Sequence, residues 1–282
     1  MIAIVYSGSR NAFWKIISGG KVIGEATTPG FNPLFNDQKD LLQILNKPNV
    51  LINNAESIKK IQMFAAGAAT IGSKEKLNQV LTTFFKNSKS EIYDDLYGAA
   101  LAACFNEPGI VGILGSGSNC AYYDGKNLIR NNFGLGYILG DEGSANHLGK
   151  KLIKNFLEQK LPENLLEKFK AKYNTERPTI LERIYRKPGA QAYLTSYFDF
   201  FIENRDHSFI KGIIDNSFDA YFKNYLLPLV KNHPDQPIHF VGTVAGTFPD
   251  RLRAVAKKNG LEITSITKEP VYNLINYYST KN

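Results

Sequence analysis

At 282 residues the chain has room for two packed α/β domains of ordinary size. Its 34 Lys+Arg against 26 Asp+Glu give a net charge of +8, which favours anions such as a nucleotide, but the lysines are scattered and no dense basic stripe with interleaved aromatics marks a nucleic-acid surface. No apolar run reaches bilayer length, and the two cysteines, Cys104 and Cys120, are too few for a disulfide framework and lack C-x-x-C spacing, so no membrane role is expected and a reducing, cytoplasmic location is.

The N-terminal MIAIVYSGSR has no basic segment ahead of its short apolar stretch and reads as a first strand. Met1–Tyr6, Ala12–Ser18 and Lys21–Thr27 are β-prone runs joined by Ser-Gly-Ser-Arg and by Gly19-Gly20, which predicts a strand meander. Ile61–Ala65 is a further strand that ends in Ala66-Gly67-Ala68. Ser73, a good N-cap, opens a helix to Asn87, and another helix begins near Asp94. After Asn106-Glu-Pro-Gly109 the meander recurs as Ile110–Leu114, Asn119–Tyr123 and Asn127–Arg130. The recurrence predicts two similar halves, each a sheet flanked by helices, with a boundary near Asn106 to Gly109. From Glu142 to about Val230 apolar residues fall at three- and four-residue spacing, as in Leu152, Ile153, Phe156 and Leu157, and predict helices. Ile238–Val241 adds a strand, followed by Gly242-Thr-Val-Ala-Gly246, a helix through Lys258, a strand Leu261–Ile266 and a last helix from Pro270.

The common catalytic signatures are missing. There is no G-x-x-x-x-G-K-[ST], Gly134-Leu-Gly136-Tyr-Ile-Leu lacks the third glycine of a dinucleotide loop, and G-x-S-x-G and H-E-x-x-H are absent. His147, His207, His233 and His239 fall in no metal-ligand spacing. What remains is a set of small-residue turns after strands: Tyr6-Ser-Gly-Ser9, Ala66-Gly-Ala68, Gly115-Ser-Gly-Ser-Asn119, Gly140-Asp-Glu-Gly143 and Gly242–Gly246. Each can turn backbone N–H groups toward an anion, and each alone is more often an ordinary turn. Their order carries more weight, because two meanders with a Gly-Ser hairpin apiece would set two backbone cradles against the phosphates of one nucleotide.

Asn106-Glu-Pro-Gly-Ile-Val-Gly-Ile-Leu-Gly-Ser-Gly-Ser-Asn119 and Gly134-Leu-Gly-Tyr-Ile-Leu-Gly-Asp-Glu-Gly-Ser144 resemble the second phosphate loop and the following sugar-side loop of the N-acetylglucosamine kinase-like ATPases, the BadF/BadG group of the actin, heat-shock ATPase and hexokinase superfamily. Phe31-Asn-Pro33 is similar to the family segment whose asparagine contacts the amino sugar, Asp95-Leu-Tyr-Gly-Ala-Ala100 to the one carrying the catalytic aspartate, and Phe240-Val-Gly-Thr-Val-Ala245 to the adenosine loop. The resemblance implies two ribonuclease H-like α/β domains around a central cleft. Residues 1–107 would form the first, with a helix over 270–282 packing back on it, and 108–269 the second. It implies phosphorylation of N-acetylglucosamine or a related N-acetyl hexosamine such as N-acetylmuramic acid, with ATP and Mg²⁺ as cofactors, and the sequence leaves the assembly open, a homodimer among the possibilities. Asp95 would be the catalytic base. Asn32, Asp95, Ser118, Asn119 and Asp141 would bind the sugar, while Gly8, Ser9, Arg10, Gly115, Ser116, Gly117, Gly242 and Thr243 would hold the nucleotide.

Phosphoryl transfer to a hydroxyl needs positioning, charge neutralisation and a carboxylate near the attacking oxygen, which gives Asp95 a chemical reason. A first-turn acid stabilised by the helix dipole would look the same in sequence. Asp94 beside it reads as a capping or solvated group, and Glu142 beside Asp141 as structural. One loop departs from the family. Where the family has a strand-end aspartate and a Gly-Ser-Thr-Lys turn, this chain has Tyr6-Ser-Gly-Ser-Arg10-Asn11. A neutral phenol does not replace a carboxylate near Mg²⁺, and Arg10 supplies phosphate charge without carrying metal. The sequence therefore leaves two activities open: an amino-sugar kinase, or a catalytically weak homologue that binds sugar or nucleotide.

Overall fold

The computed structural model describes residues 1–130 and 133–279. From Ala3 to Ser7 every residue is buried, as a strand must be when it has neighbours on both edges and helices on both faces. This strand, β1 (Ile2–Ser7), pairs antiparallel with β2 (Asn11–Ser18), which pairs antiparallel with β3 (Lys21–Pro29). Two short helices follow, α1 (Gln38–Leu45) and α2 (Asn49–Asn54), then β4 (Lys60–Ala65), α3 (Ile71–Phe84), β5 (Lys89–Asp94) and α4 (Asp95–Cys104). β4 runs parallel to β1, and β5 parallel to β4, so the sheet order is β3-β2-β1-β4-β5.

The second half begins with β6 (Pro108–Leu114), β7 (Ser118–Asp124) and β8 (Leu128–Arg130). A helical stretch comes next: α5 (Gly136–Leu139), α6 (Ala145–Leu157), α7 (Glu163–Lys172), α8 (Arg177–Tyr185), α9 (Ala190–Thr195), α10 (Phe198–Glu203) and α11 (Ser208–Tyr221). α11 passes through one π turn, Phe222–Leu226, into α12 (Leu227–Asn232). The chain closes with β9 (Ile238–Val241), α13 (Thr243–Thr247), α14 (Pro249–Lys258), β10 (Ser265–Thr267) and α15 (Val271–Ser279). The second sheet runs β10-β9-β6-β7-β8. Read from its other edge it repeats the order of the first: meander, central strand, then the two later strands.

The chain divides into two compact units. One comprises Met1–Val111, Tyr123–Ile129 and the segment from Glu269, and the other Gly112–Tyr122 with Arg130–Lys268. In the first unit, side chains alternate across the sheet. Ala3 and Val5 of β1 and Ile61, Met63 and Ala65 of β4 share a core with Trp14, Phe31 and Phe85 and with Leu41, Leu51, Leu77 and Leu81 of α1, α2 and α3. Tyr6 and Phe64 lie on the other face, where Gly98 of α4 is so close that a Cβ would stand 2.6 Å from the Phe64 side chain. α15 lies against α4 and β1 on that face, burying Val271, Leu274 and Tyr277. Its Asn273 Nδ2 donates to Ala102 O at 2.9 Å and Tyr278 Oη to Gln62 Oε1 at 3.1 Å. Lys15, only 4% exposed, meets Glu25 at 2.5 Å and Tyr272 Oη of α15 at 2.7 Å. Burial pulls this ammonium's pKa down, but those two partners outweigh it and raise the pKa overall.

Several elements differ from the sequence expectation for local reasons. α1 starts on a capping box in which Asp37 accepts from Asp40 N and Asp40 from Asp37 N, an Asp-x-x-Asp version of the usual pattern. α3 is capped by Thr70, whose Oγ1 accepts from Ser73 N at 3.2 Å, so Ser73 sits in the first turn and is not the cap. β5, Lys89-Ser-Glu-Ile-Tyr-Asp94, is an edge strand with largely polar residues and carries no apolar alternation to announce it. β10 is confined to Ser265–Thr267, because Leu261 N donates to Ala256 O and Arg253 Nη1 to Ile263 O, which tie the preceding residues to the end of α14.

Candidate functional site

In open α/β sheets, ligands gather beyond the carboxyl ends of the parallel strands. In the first unit those ends are in register: Ser7 of β1 pairs with Ala65 of β4, and Ala65 with Asp94 of β5. Three of the segments singled out in the sequence therefore meet along one edge. The loop after β1 is tied down by its backbone, with Gly8 N donating to Asn11 O and Gly30 N to Arg10 O, both at 3.0 Å. Ser7 Oγ accepts from Phe31 N at 2.7 Å, so the loop and the Phe31–Pro33 segment form one corner. Asn32, 4% exposed, is fixed there by donating Nδ2 to Ser9 Oγ at 3.2 Å and accepting at Oδ1 from Leu34 N at 3.0 Å. Gly67 completes the corner. Its φ is +80°, and a Cβ there would stand 2.4 Å from Asn32 Oδ1, so both conformation and space require glycine. Gly8 and Ser9 are half-buried beside it, and Arg10 and Asn11 are exposed.

Asp94 ends β5 and caps α4, its Oδ1 accepting from Tyr97 N at 2.8 Å. Asp95 thereby becomes a half-buried first-turn residue. Tyr6, 8% exposed, has its pKa driven well above the ordinary phenol value, first by burial and then by the charge of Asp95. It is a neutral phenol at any physiological pH. Among the described residues no group of three or more His, Cys, Asp and Glu side chains could hold a metal ion. With a phenol at Tyr6 and a guanidinium at Arg10, this corner does not fit a protein-held Mg²⁺.

The second unit builds its own loop cluster around Asp141. Asp141 is 4% exposed and sits at φ +61°, a left-handed conformation that Asp tolerates better than most residues. Its Oδ1 accepts from Ser118 N at 3.0 Å and its Oδ2 from Asn146 Nδ2 at 2.7 Å, while Asn146 also donates to Ser116 O at 2.7 Å. Loop 115–118 is thus pinned to the start of α6 through one carboxylate. Ala145 N to Gly115 O at 2.9 Å and Asn146 N to Ser116 O at 3.2 Å add backbone ties. Burial raises the Asp141 pKa, and the Ser118 and Asn146 donors pull against that rise. Asp141 N donates to Tyr225 Oη at 3.1 Å, and Tyr225 Oη donates to Glu142 at 2.9 Å, so the π turn after α11 places the phenol that braces both acids. Glu142 also accepts from Asn224 Nδ2 at 3.0 Å. Asn119 uses Oδ1 on Cys120 N at 2.9 Å and its carbonyl on Tyr221 Oη at 2.8 Å. Gly242, at φ +123°, brings the β9 turn against β6, where a Cβ would lie 2.5 Å from Leu114 O and 3.2 Å from Gly115 N. Thr243 beside it is exposed.

The structure therefore gathers Gly8, Ser9, Arg10, Asn32 and Asp95 along one strand edge of the first unit. It gathers Gly115–Asn119, Asp141, Gly242 and Thr243 in the second. Sequence reasoning missed Ser7, which joins two of the loops, and Asn146 and Tyr225, which hold Asp141. Asn146 had a local signal, as a polar residue in the first turn of a helix five positions after an acid; Tyr225 is 84 residues from Asp141 and had none.

No protein-family model and no curated protein matches the sequence. Solved structures do. A candidate N-acetylglucosamine kinase of Porphyromonas gingivalis is 35% identical, with 99% of each chain covered and a TM-score of 0.91. A candidate N-acetylglucosamine kinase of Chromobacterium violaceum shares the fold at 12% identity, with 98% of each chain covered and a TM-score of 0.70. A ROK family glucokinase of Streptomyces griseus, solved with glucose and AMPPNP, shares it at 12% identity, 98% and 97% coverage and a TM-score of 0.59. By its 35% identity to the Porphyromonas protein over essentially the whole of both chains, this protein belongs to the N-acetylglucosamine kinase-like family of the actin-like ATPase fold.

Proposed function

We propose that the protein transfers the γ-phosphoryl group of ATP to a hydroxyl of N-acetylglucosamine or a related N-acetyl hexosamine in the cytoplasm. One observation carries the reading: the full-length likeness to a candidate N-acetylglucosamine kinase. In this reading Asp95 takes the proton of the attacking sugar hydroxyl, the sugar oxygen bonds to the γ-phosphorus, and the bond to the β–γ bridging oxygen breaks to release ADP. Asn32, Ser118, Asn119 and Asp141 orient the sugar. Asp141 can accept from a hydroxyl only through lone pairs not already used by Ser118 and Asn146. Gly8, Ser9, Gly115, Ser116 and Gly117 cradle the phosphates, Gly242 and Thr243 line the adenosine, and Arg10 adds a planar guanidinium that suits phosphate oxygens. Mg²⁺ neutralises phosphate charge when it arrives bound to ATP as part of that substrate.

The test is ADP release over a panel of amino sugars with Mg²⁺. The proposal expects release that depends on an N-acetyl hexosamine and exceeds that with glucose. The neutral, buried Tyr6 favours a second reading, a homologue that binds the sugar and turns over ATP slowly. Sugar binding without stimulated ADP release would select it.

A further inference from the structure

Two tyrosines of one helical stretch reach both loops that the kinase reading gives to the sugar. Tyr221 ends α11, and its Oη donates to Asn119 O at 2.8 Å. Tyr225 stands in the π turn, where its Oη accepts from Asp141 N at 3.1 Å and donates to Glu142 Oε2 at 2.9 Å. The two rings stack with centroids 5.1 Å apart and planes 12° apart, which holds the hydroxyl groups at a fixed spacing. Each hydroxyl has a seat made by a glycine. A Cβ at Gly112 of β6 would lie 2.5 Å from Tyr221 Oη, and one at Gly140 would lie 2.6 Å from Tyr225 Oη. A phenylalanine would need neither space, so these seats house the hydroxyl groups and not only the rings. Burial drives both phenol pKa values well up, and both remain donors at physiological pH.

We propose that Tyr221 and Tyr225 are positioning residues: as a stacked pair they set where Asn119 and Asp141 stand before the sugar arrives, and so set the sugar's affinity. The inference rests on the kinase reading, which assigns Asn119 and Asp141 to the sugar. Asp141 needs such support. At φ +61° its backbone occupies a region that persists in a non-glycine residue only where the surroundings fix it. Its carboxylate already accepts from Ser118 N and Asn146 Nδ2, so only the remaining lone pairs can meet a sugar hydroxyl. Those lone pairs keep one direction only while the main chain at Asp141 is held, and Tyr225 is the group that holds its N–H. Glu142 anchors the phenol in turn: its Oε1 accepts from Asn224 Nδ2 and its Oε2 from Tyr225 Oη, which fixes the hydroxyl's direction. The π turn that carries both Asn224 and Tyr225 is a feature that gathers at functional sites. No proton of the transfer passes through either phenol.

Tyr225→Phe keeps the ring and removes only the hydroxyl, which makes it the test. The first measurement uses no ligand: hydrogen exchange of the Ser118 amide, whose acceptor is Asp141 Oδ1. The variant should speed that exchange by ~5-fold or more while amides of α14 and of the first unit keep their wild-type rates. The second measurement takes KM for N-acetylglucosamine and for ATP. The sugar KM should rise by ~5-fold or more, with kcat and the ATP KM within about 2-fold, since ground state and transition state lose the same sugar contact. A tyrosine that merely stabilised the core would leave the sugar KM unchanged or would loosen the whole second unit. Either result overturns the proposal, as does unaltered Ser118 exchange. If Tyr225→Phe does not fold, Tyr221→Phe gives the same decision at the Cys120 amide, which donates to Asn119 Oδ1. Should the wild-type protein turn over no amino sugar of the panel, the kinase reading fails by itself, and the exchange measurement still decides whether the pair holds the loops.

Discussion

The most exposed chemical claim rests on one carboxylate. If Asp95 removes the hydroxyl proton, Asp95→Asn should lower kcat/KM by ~10²-fold or more while calorimetry shows sugar affinity within a few fold of wild type. A variant as fast as the parent would rule the role out. Tyr6 bears on the rate in a different way, since it sets a neutral phenol near the end of β1, within reach of the Asp95 charge. Tyr6→Asp with Arg10→Thr and Asn11→Lys should raise sugar-dependent ADP release at least ~10-fold, a change worth only about 1.4 kcal/mol. Because the new carboxylate gives that corner a hard oxygen ligand that Tyr6 does not, the gain should grow with free Mg²⁺ beyond the concentration that saturates ATP. His147 supplies a pH signature. Its folded pKa, about 4, lies below the ordinary 6.5, so the unfolded chain takes up the proton first as pH falls. The neutral imidazole's contribution is complete above pH 6.5 and is lost as pH falls through 4, by roughly 3 kcal/mol in full. Urea midpoints measured at pH 7 and 4.5 should converge less in wild type than in His147→Gln, in which that loss is missing; equal pH dependence would contradict the burial of a neutral ring.

At the scale of elements, the loops matter because of what they hold against one another. Gly67→Ala must either distort a φ of +80° or displace Asn32, whose Oδ1 would be 2.4 Å from the new Cβ. The expected cost is about 1–3 kcal/mol of stability together with weaker sugar binding, measured by denaturation and calorimetry. Legibility in the sequence follows the same division. Both meanders could be read because Ile2–Ser7 and Pro108–Leu114 are apolar runs followed by Gly-Ser turns, and runs and turns are local signals. β5 could not, because an edge strand need not be apolar. The Asp95 segment and loop 115–118 were recognisable as motifs. The partners that fix Asp141, Asn146 and above all Tyr225, belong to elements that meet it only after folding, and no spacing rule encodes that meeting.

At the scale of the whole molecule, the two sheets share one strand order, and in the first the site residues lie where the parallel strands end. Stability of the first unit rests in part on α15. Leu274 is fully buried, and Leu274→Ala should cost about 2–5 kcal/mol, seen in calorimetry as earlier melting of that unit alone. If both units shifted together, the division of the chain into separately cooperative halves would be wrong.

The place of α15 in the chain also sets an order of events during synthesis on the ribosome. The face of the first sheet that carries Tyr6 and Phe64 is complete only when Val271, Leu274 and Tyr277 arrive, yet every residue of the second unit is translated before them. At about 5–20 residues per second, the nascent N-terminal unit waits many seconds with that apolar face open. Chaperone capture of the growing chain should therefore persist until the last helix is free to pack, and a purified chain truncated before Val271 should hold a second unit that resists protease and a first unit that does not.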